Sequence, residues 1–245
     1  MTTRARLALA LLAVLSPGTG HAACREVTHD RQAHIVCEVT AGQDVRLFLN
    51  GPDGALLGSF GRIDAMLAAE GRKLAFAMNA GMYHRDRRPV GLFIENGQQI
   101  APLVTAAGPG NFGMRPNGVF CIRNDGRFTI QESRAWAEAA QGCRYATQSG
   151  PMLVIDGALH PRFLPDSASR YVRNGVGVSA DGTRAMFAMS RGRVSFHEFA
   201  RLFRDGLGLA QALYFDGNIS RLYAPDLGRN DFGFPMGPVV GLVTE

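Results

Sequence analysis

Gly118-Val-Phe-Cys-Ile-Arg-Asn-Asp125-Gly126-Arg127-Phe-Thr-Ile130 reads as two runs of β-formers joined by an Asp-Gly turn, and this plan decides the fold class. The two-residue hairpin turn of type I′ needs positive φ at both central positions, which favours Asn, Asp and Gly there. The plan recurs beyond residue 90. Gly91 to Glu95 and Gln99 to Val104 flank Asn96-Gly97, Met152 to Ile155 precede Asp156-Gly157, and Val176 to Val178 and Ala185 to Met189 flank Asp181-Gly182. Consecutive hairpins imply antiparallel sheet.

Helix signals are fewer. Ser195-Phe-His-Glu198 is a capping box, followed by an apolar face of Phe196, Phe199, Ala200 and Phe203, with Gly206 or Gly208 as its stop. A second helix is expected over about Arg62 to Glu70, with Ile63, Met66 and Leu67 on one side and Gly71 ending it. The segment Glu132 to Gln141, around Trp136, reads as a third. The first two feed the short apolar strands Gln211 to Phe215 and Leu74 to Met78. Helices interspersed among hairpins, without a break in composition, predict a single α+β domain of largely antiparallel sheet with a few packed helices.

The chain has 245 residues, 46% apolar and 19% charged, which suits a folded domain and not a disordered one. Residues 1–23 have the three parts of a secretory signal: Arg4 and Arg6, the apolar run Leu7 to Leu15, and the small pair Ala22-Ala23. The domain is then 24–245, and its charge is 5 − 2 = +3, too small to indicate a nucleic-acid partner. No later apolar run is long enough to span a membrane. Periplasmic or secreted release is favoured over lipid anchoring at Cys24, because His21 stands where a lipoprotein signal has an aliphatic residue.

An exported chain meets an oxidising compartment, and its cysteines are four: Cys24, Cys37, Cys121 and Cys143. Three pairings are possible. The sequence-local set, Cys24 with Cys37 and Cys121 with Cys143, is favoured, since it ties down an otherwise loose N-terminus and closes one excursion. A metal site lacks any CxxC spacing, and the histidines form no HxH or HExxH arrangement.

Candidate functional residues cluster where apolar strands run into small polar segments. Leu74 to Met78 leads into Asn79-Ala-Gly81-Met-Tyr83, and Gln211 to Phe215 into Asp216-Gly217-Asn218-Ile219-Ser220. Between them lie Arg115-Pro-Asn117-Gly, Gln148-Ser149-Gly150-Pro and Arg173-Asn174-Gly. Any one of these is as readily a plain turn as a site. Asp216 stands out because a carboxylate ending a Leu-Tyr-Phe strand needs donors or solvent. Glu95, beside Asn96-Gly97, suits an exposed hairpin tip better. The density of polar, glycine-rich strand ends is what raises the set above chance.

These segments, with Pro89-Val-Gly-Leu, Gly110-Asn-Phe and Phe199-Ala-Arg-Leu-Phe-Arg-Asp, resemble the bacterial exported branch of the phosphodiester glycosidase family over about residues 70 to 243. The family shares its domain with the enzyme that uncovers mannose 6-phosphate by removing N-acetylglucosamine. The resemblance implies an α+β domain that hydrolyses the bond between a sugar's anomeric carbon and a phosphodiester oxygen. It places substrate-binding roles on Asn79, Gly81, Ser149, Gly150, Arg173, Asn174 and Asp216 to Ser220. In that last motif Asn218 and Ile219 stand where the family has two glycines, which makes the loop bulkier.

That chemistry expels a phosphate monoester, already a good leaving group, so a strong general acid is less necessary than usual. Cations and donors must hold the phosphate, for which Arg173 and Arg115 are the candidates, with Asn79, Asn117, Ser149 and Ser220 for sugar hydroxyls or phosphate oxygens. Asp216 is the expected catalytic carboxylate and Glu95 a weak second. A divalent cation, Mg²⁺ or Ca²⁺, bridged by Asp216 and an amide oxygen is left open. The expected function is an exported hydrolase of a sugar–phosphate diester, in cell-envelope or exopolysaccharide material. The alternative is a non-catalytic glycan or glycan-phosphate binding module of the same fold.

Overall fold

The computed structural model describes residues 23–139 and 142–245. The leader expected over 1–23 lies, but for Ala23, outside the described residues. The rest forms three antiparallel sheets. The first has seven strands in the order Ala23–His29, Gln32–Thr40, Arg184–Ser190, Asn174–Val178, Gln211–Asp216, Met152–Ile155 and Ala158–Leu159. The second runs Arg229–Asn230, Leu222–Ala224, Lys73–Asn79, Val239–Thr244, Val45–Phe48, and the third Gln98–Ala101, Phe93–Glu95, Cys143–Ser149, Gly118–Arg123, Phe128–Glu132.

Each sheet turns one face to a shared core and the other to a helix of its own. Alternation along the strands sets this, because successive side chains point to opposite faces. In Gly118–Arg123, Phe120 and Ile122 enter the shared core while Val119 and Cys121 meet Trp136 of the helix Ser133–Glu138. In Arg184–Ser190, Ala185, Phe187 and Met189 point inward, and Met186 and Ala188 lie under the helix Phe196–Arg201 and its continuation Leu202–Gly206. The helix Phe60–Ala68 covers Leu74 and Ala77 of the second sheet with Ile63 and Leu67. Phe120 joins the layers, meeting Phe187 edge-on at 5.7 Å and Phe215 at 6.4 Å. One core shared by all three sheets makes this a single α+β domain, as the sequence predicts.

The four hairpins form where expected, but by two different turns. Asn96-Gly97 and Asp156-Gly157 have positive φ at both residues, as type I′ requires. Asp125-Gly126 and Asp181-Gly182 have it only at the glycine. There the aspartate carboxylate accepts from the amide two residues on, Arg127 and Thr183, each at 3.0 Å. The capping box on Ser195 is present in both directions, Glu198 N–H to Ser195 Oγ at 3.2 Å and Ser195 N–H to Glu198 Oε2 at 2.7 Å. The helix expected from Arg62 instead begins at Phe60, capped by Ser59, whose hydroxyl accepts from Arg62 N–H. The third helix is shorter than expected, Ser133–Glu138, and Gln141 lies outside the described residues.

The segment that follows the expected leader forms a strand pair that the sequence does not signal. Ala23–His29 and Gln32–Thr40 are a hairpin whose turn, Asp30-Arg31, takes positive φ of 47° and 63° without a glycine. The disulfides pair Cys24 with Cys37, directly opposite in that hairpin, and Cys121 with Cys143 on adjacent strands. Among the described residues no helix is long and apolar enough to cross a membrane.

Candidate active site

The ends of Lys73–Asn79, Cys143–Ser149 and Gln211–Asp216, one from each sheet, meet the start of Asn174–Val178. Side chains at this junction bond across sheets. Thr147 Oγ1 donates to Ala80 O and Ser149 Oγ to Phe215 O, each at 2.8 Å. Asn174 Nδ2 donates to Asn79 O at 2.8 Å, and Asn79 Nδ2 to Ile219 O at 2.6 Å. Strand ends leave backbone carbonyls without ladder partners, and short amides and hydroxyls satisfy them here.

Asp216 sits at the centre of this junction, 9% exposed. Gly217 N–H and Asn218 N–H donate to its Oδ1 at 2.6 and 2.9 Å. Its own N–H donates to Asn174 Oδ1 at 3.2 Å, and its carbonyl accepts from Ser220 Oγ at 3.2 Å. Burial raises the pKa of the carboxyl, and the amides of Asn218, Gly217 and Ile219 oppose that rise by stabilising the anion. The result is a fixed carboxylate of heightened basicity.

The predicted substrate-binding residues divide. Asn79, Asn174 and Ser149 are buried and spent on protein: Asn79 Oδ1 also accepts from Arg221 N–H at 2.9 Å, so that side chain holds the 216–221 loop near its C-terminal end, at Ile219 and Arg221. Ser220 likewise donates to Val172 O at 3.0 Å. These residues position Asp216. Gly81, Gly150 and Gly217 are required by space. A Cβ at 81 would stand 2.9 Å from Thr147 Oγ1, at 150 2.6 Å from Asn117 Cβ, and at 217 1.9 Å from Tyr214 Oη. Asn117 is fully buried; its Nδ2 donates to Phe112 O at 2.8 Å while its Oδ1 has no partner. Of the departures from the family pattern, Asn218 is exposed and Ile219 packs against the cluster under the helix Phe60–Ala68.

Two placements correct the sequence reading. Glu95 is not a partner of Asp216. It follows Ile94, which pairs with Ala146, so it lies beside Tyr145, four residues along the strand from Ser149, or about 13 Å. There it borders a different cleft with Arg46 and Asn50 and accepts from Leu49 N–H at 3.3 Å, while burial raises its pKa. Arg173 is not an open anion ligand. It is fully buried, donating through Nε to Val194 O at 2.9 Å, through Nη1 to Tyr214 Oη at 3.3 Å and through Nη2 to Ser169 O at 3.0 Å. Its guanidinium lies 3.6 Å over the Phe196 ring, with Tyr171 and Tyr214 at 5.5 and 5.4 Å, and burial lowers its pKa. Arg115 is partly exposed and donates to Thr105 O at 3.1 Å.

Residues missed in the sequence complete the site. Tyr83 feels the charges of Asp216, Arg87 and Arg221, and burial with the Asp216 charge raises its phenol pKa. Its ring packs on Gly237, where a Cβ would come within 2.6 Å, and the Arg87 guanidinium lies 5.3 Å from the ring centroid as a cation–π neighbour. Neither Arg87 nor Arg221 is ion-paired with a carboxylate among the described residues. Tyr214, two residues before Asp216 across an irregularity in the strand register, is held protonated by burial. Tyr83 and Tyr214 both lie inside motif segments, and only their neighbours drew notice. Among the described residues no group of three or more His, Cys, Asp or Glu converges as metal ligands.

The junction thus holds a carboxylate fixed by backbone amides at the meeting of three sheets, with the Tyr83 and Tyr214 phenols and the Arg87 and Arg221 guanidinium groups around it. The family model for phosphodiester glycosidases matches residues 72–233, which contain all of it. The chain belongs to the phosphodiester glycosidase family. It is 36% identical over 217 residues to YigE of Escherichia coli (strain K12), an uncharacterized protein, covering 89% of this chain and 83% of that one. Its fold is similar to the catalytic domain of zebrafish N-acetylglucosamine-1-phosphodiester α-N-acetylglucosaminidase, a structure auto-inhibited by its pro-peptide (TM-score 0.62, 14% identity, 94% of this chain and 85% of that one). It is also similar to a putative exported protein of Burkholderia pseudomallei K96243 (TM-score 0.54, 13% identity, 86% and 74% covered).

Proposed function

We propose that this protein is an exported hydrolase that cleaves a sugar–phosphate diester at the anomeric carbon, with Asp216 as its catalytic carboxylate. The observation that carries this is the buried Asp216, made more basic by burial and fixed in place by the amides on Oδ1. Asp216 attacks the anomeric carbon or takes a proton from the water that does. The C–O bond breaks and its electron pair stays with the phosphate monoester, which leaves without a strong acid. Tyr83 and Tyr214, whose pKa values are raised, remain hydrogen-bond donors through the pH range of the reaction. Arg87 and Arg221 take over the phosphate-holding role that the sequence assigned to Arg173 and Arg115. Arg173 acts at one remove, fixing the Tyr214 hydroxyl. Removal of the leader at about residue 23, release to the periplasm or outside, and envelope or exopolysaccharide material as the source of substrate belong to the same reading. The two disulfides and the export signal support it.

The test is free-sugar release, read by mass spectrometry, from a panel of sugar-1-phosphate diesters, with and without Mg²⁺ or Ca²⁺, by the protein and by Asp216→Asn. Asn keeps the acceptor for the Gly217 and Asn218 amides, so the variant should fold and bind while turnover falls by about 10²-fold or more. If the folded protein releases sugar from no diester yet retains glycan phosphates, the hydrolase reading gives way to the binding module.

A further inference from the structure

Phe232 and Phe234 are the two most exposed large apolar side chains among the described residues, at 94% and 80%. Single exposed apolar residues are ordinary, but two of them two positions apart on one extended segment are not. Their backbone is held at both ends. Asp231 N–H donates to Leu222 O at 3.1 Å and its carboxylate accepts from Leu222 N–H at 3.0 Å, while Met236 N–H donates to Gly58 O at 2.8 Å and Met236 is buried. Between these anchors Arg221 Nη1 donates to Phe234 O at 2.6 Å. Gly233, at φ 148°, lets the guanidinium lie against the chain where a Cβ would come within 2.3 Å. So fastened, the segment holds both rings in solvent.

The surroundings are cationic. Tyr83, packed on Gly237, joins this segment to the turn that carries Arg87, and Arg87 and Arg221 have no carboxylate partners among the described residues. Of the carboxylates on these two segments, Asp231 is paired with Arg229 at 2.9 Å and Asp86 with Arg88 at 2.7 Å. Exposed phenylalanines near two guanidinium groups that lack carboxylate partners match the two-part requirement for reversible attachment to an anionic lipid surface, apolar insertion and charge attraction together.

We infer that the rim made by Phe232, Phe234, Arg87 and Arg221 docks on an anionic lipid surface, with the Asp216 site facing that surface. This goes beyond the proposed hydrolysis and shares Arg87 and Arg221 with its phosphate site; flotation reads lipid attachment without turnover, so the two readings fail separately. The test is flotation of the purified protein with vesicles of phosphatidylcholine alone, or with about 30% phosphatidylglycerol. The protein should float with the anionic vesicles, and about 0.5 M salt should release much of it. Phe232→Ala/Phe234→Ala should lower partitioning on the order of tenfold. That variant should keep its melting temperature, since both rings are in solvent. Three results would overturn the inference: no flotation, equal flotation of the double variant, or a dimer of the wild type alone by sedimentation without flotation, which would assign the rim to a second copy of the chain.

Discussion

Gly217→Ala tests how the carboxylate is held. The new methyl carbon would stand 1.9 Å from Tyr214 Oη and 3.2 Å from Cζ, against an ordinary contact of about 3.5 Å, so an overlap of about 1.5 Å must be relieved. Residue 217 is not at positive φ, so the penalty is one of space and not of backbone conformation. Tyr214 cannot easily yield, because its ring is buried edge-on against Phe196 at 4.8 Å and its hydroxyl receives Arg173 Nη1 at 3.3 Å. The loop must move instead, stretching the 2.6 Å bond from Gly217 N–H to Asp216 Oδ1. We expect a loss of about 1–3 kcal/mol in urea unfolding at unchanged m, with turnover falling further than stability. Tyr214→Phe alone should cost about 1–2 kcal/mol, because Arg173 loses an acceptor. Combined, the two should cost less than their sum by at least about 0.5 kcal/mol, since removing Oη removes the worst of the clash. Additive costs, or a Gly217→Ala protein as stable and active as the wild type, would refute the assignment of Gly217 to this contact.

Other outcomes follow from buried titrating groups and from the disulfides. Burial and the neighbouring His29 charge lower His34 from 6.5 to about 4. Between those values the unfolded chain takes up a proton that the folded one refuses, so stability should fall as pH drops from 6.5 to 4, by about 3 kcal/mol in all. Denaturant midpoints across that range should show the fall, and His34→Phe should flatten it. Asp216 works in the opposite sense, because its folded pKa is raised. Its ionised form costs stability above that value, and the cost vanishes as pH falls through it toward the unfolded 3.9, while kcat/KM falls along the same limb. Asp216→Asn should therefore stabilise the protein above that limb and make no difference below 3.9. Cys121→Ser/Cys143→Ser opens a loop of sequence separation 22 and should cost about 3 kcal/mol in unfolding free energy, with little change in turnover if the strands still pair.

Local chemistry made much of this protein legible in its sequence. Positive φ at Asn96-Gly97, the reciprocal cap of Ser195 and Glu198, and the alternation of Phe120 with Val119 or Phe187 with Met186 are properties of neighbouring residues, and each predicted element formed. Asp216 was also legible, because a carboxylate at the end of an apolar strand needs donors wherever that strand goes. The hairpin turn at Asp30-Arg31 was not, because two non-glycine residues are held there by strand pairing on either side.

What only the tertiary structure decided is which polar residues stay open and which hold the sheets together. Asn79, Ser149, Asn174 and Arg173 carry the same side chains whether buried or open, and three sheets meeting at one point left them no exposure. The distance of Glu95 from Asp216 depended on strand register, and the convergence of Tyr83, Arg87 and Arg221 on loops that meet only in the folded chain. Sequence specifies the groups through local forces, while their division into structural and reactive roles follows from non-local packing, which sets the burial and partners of each one.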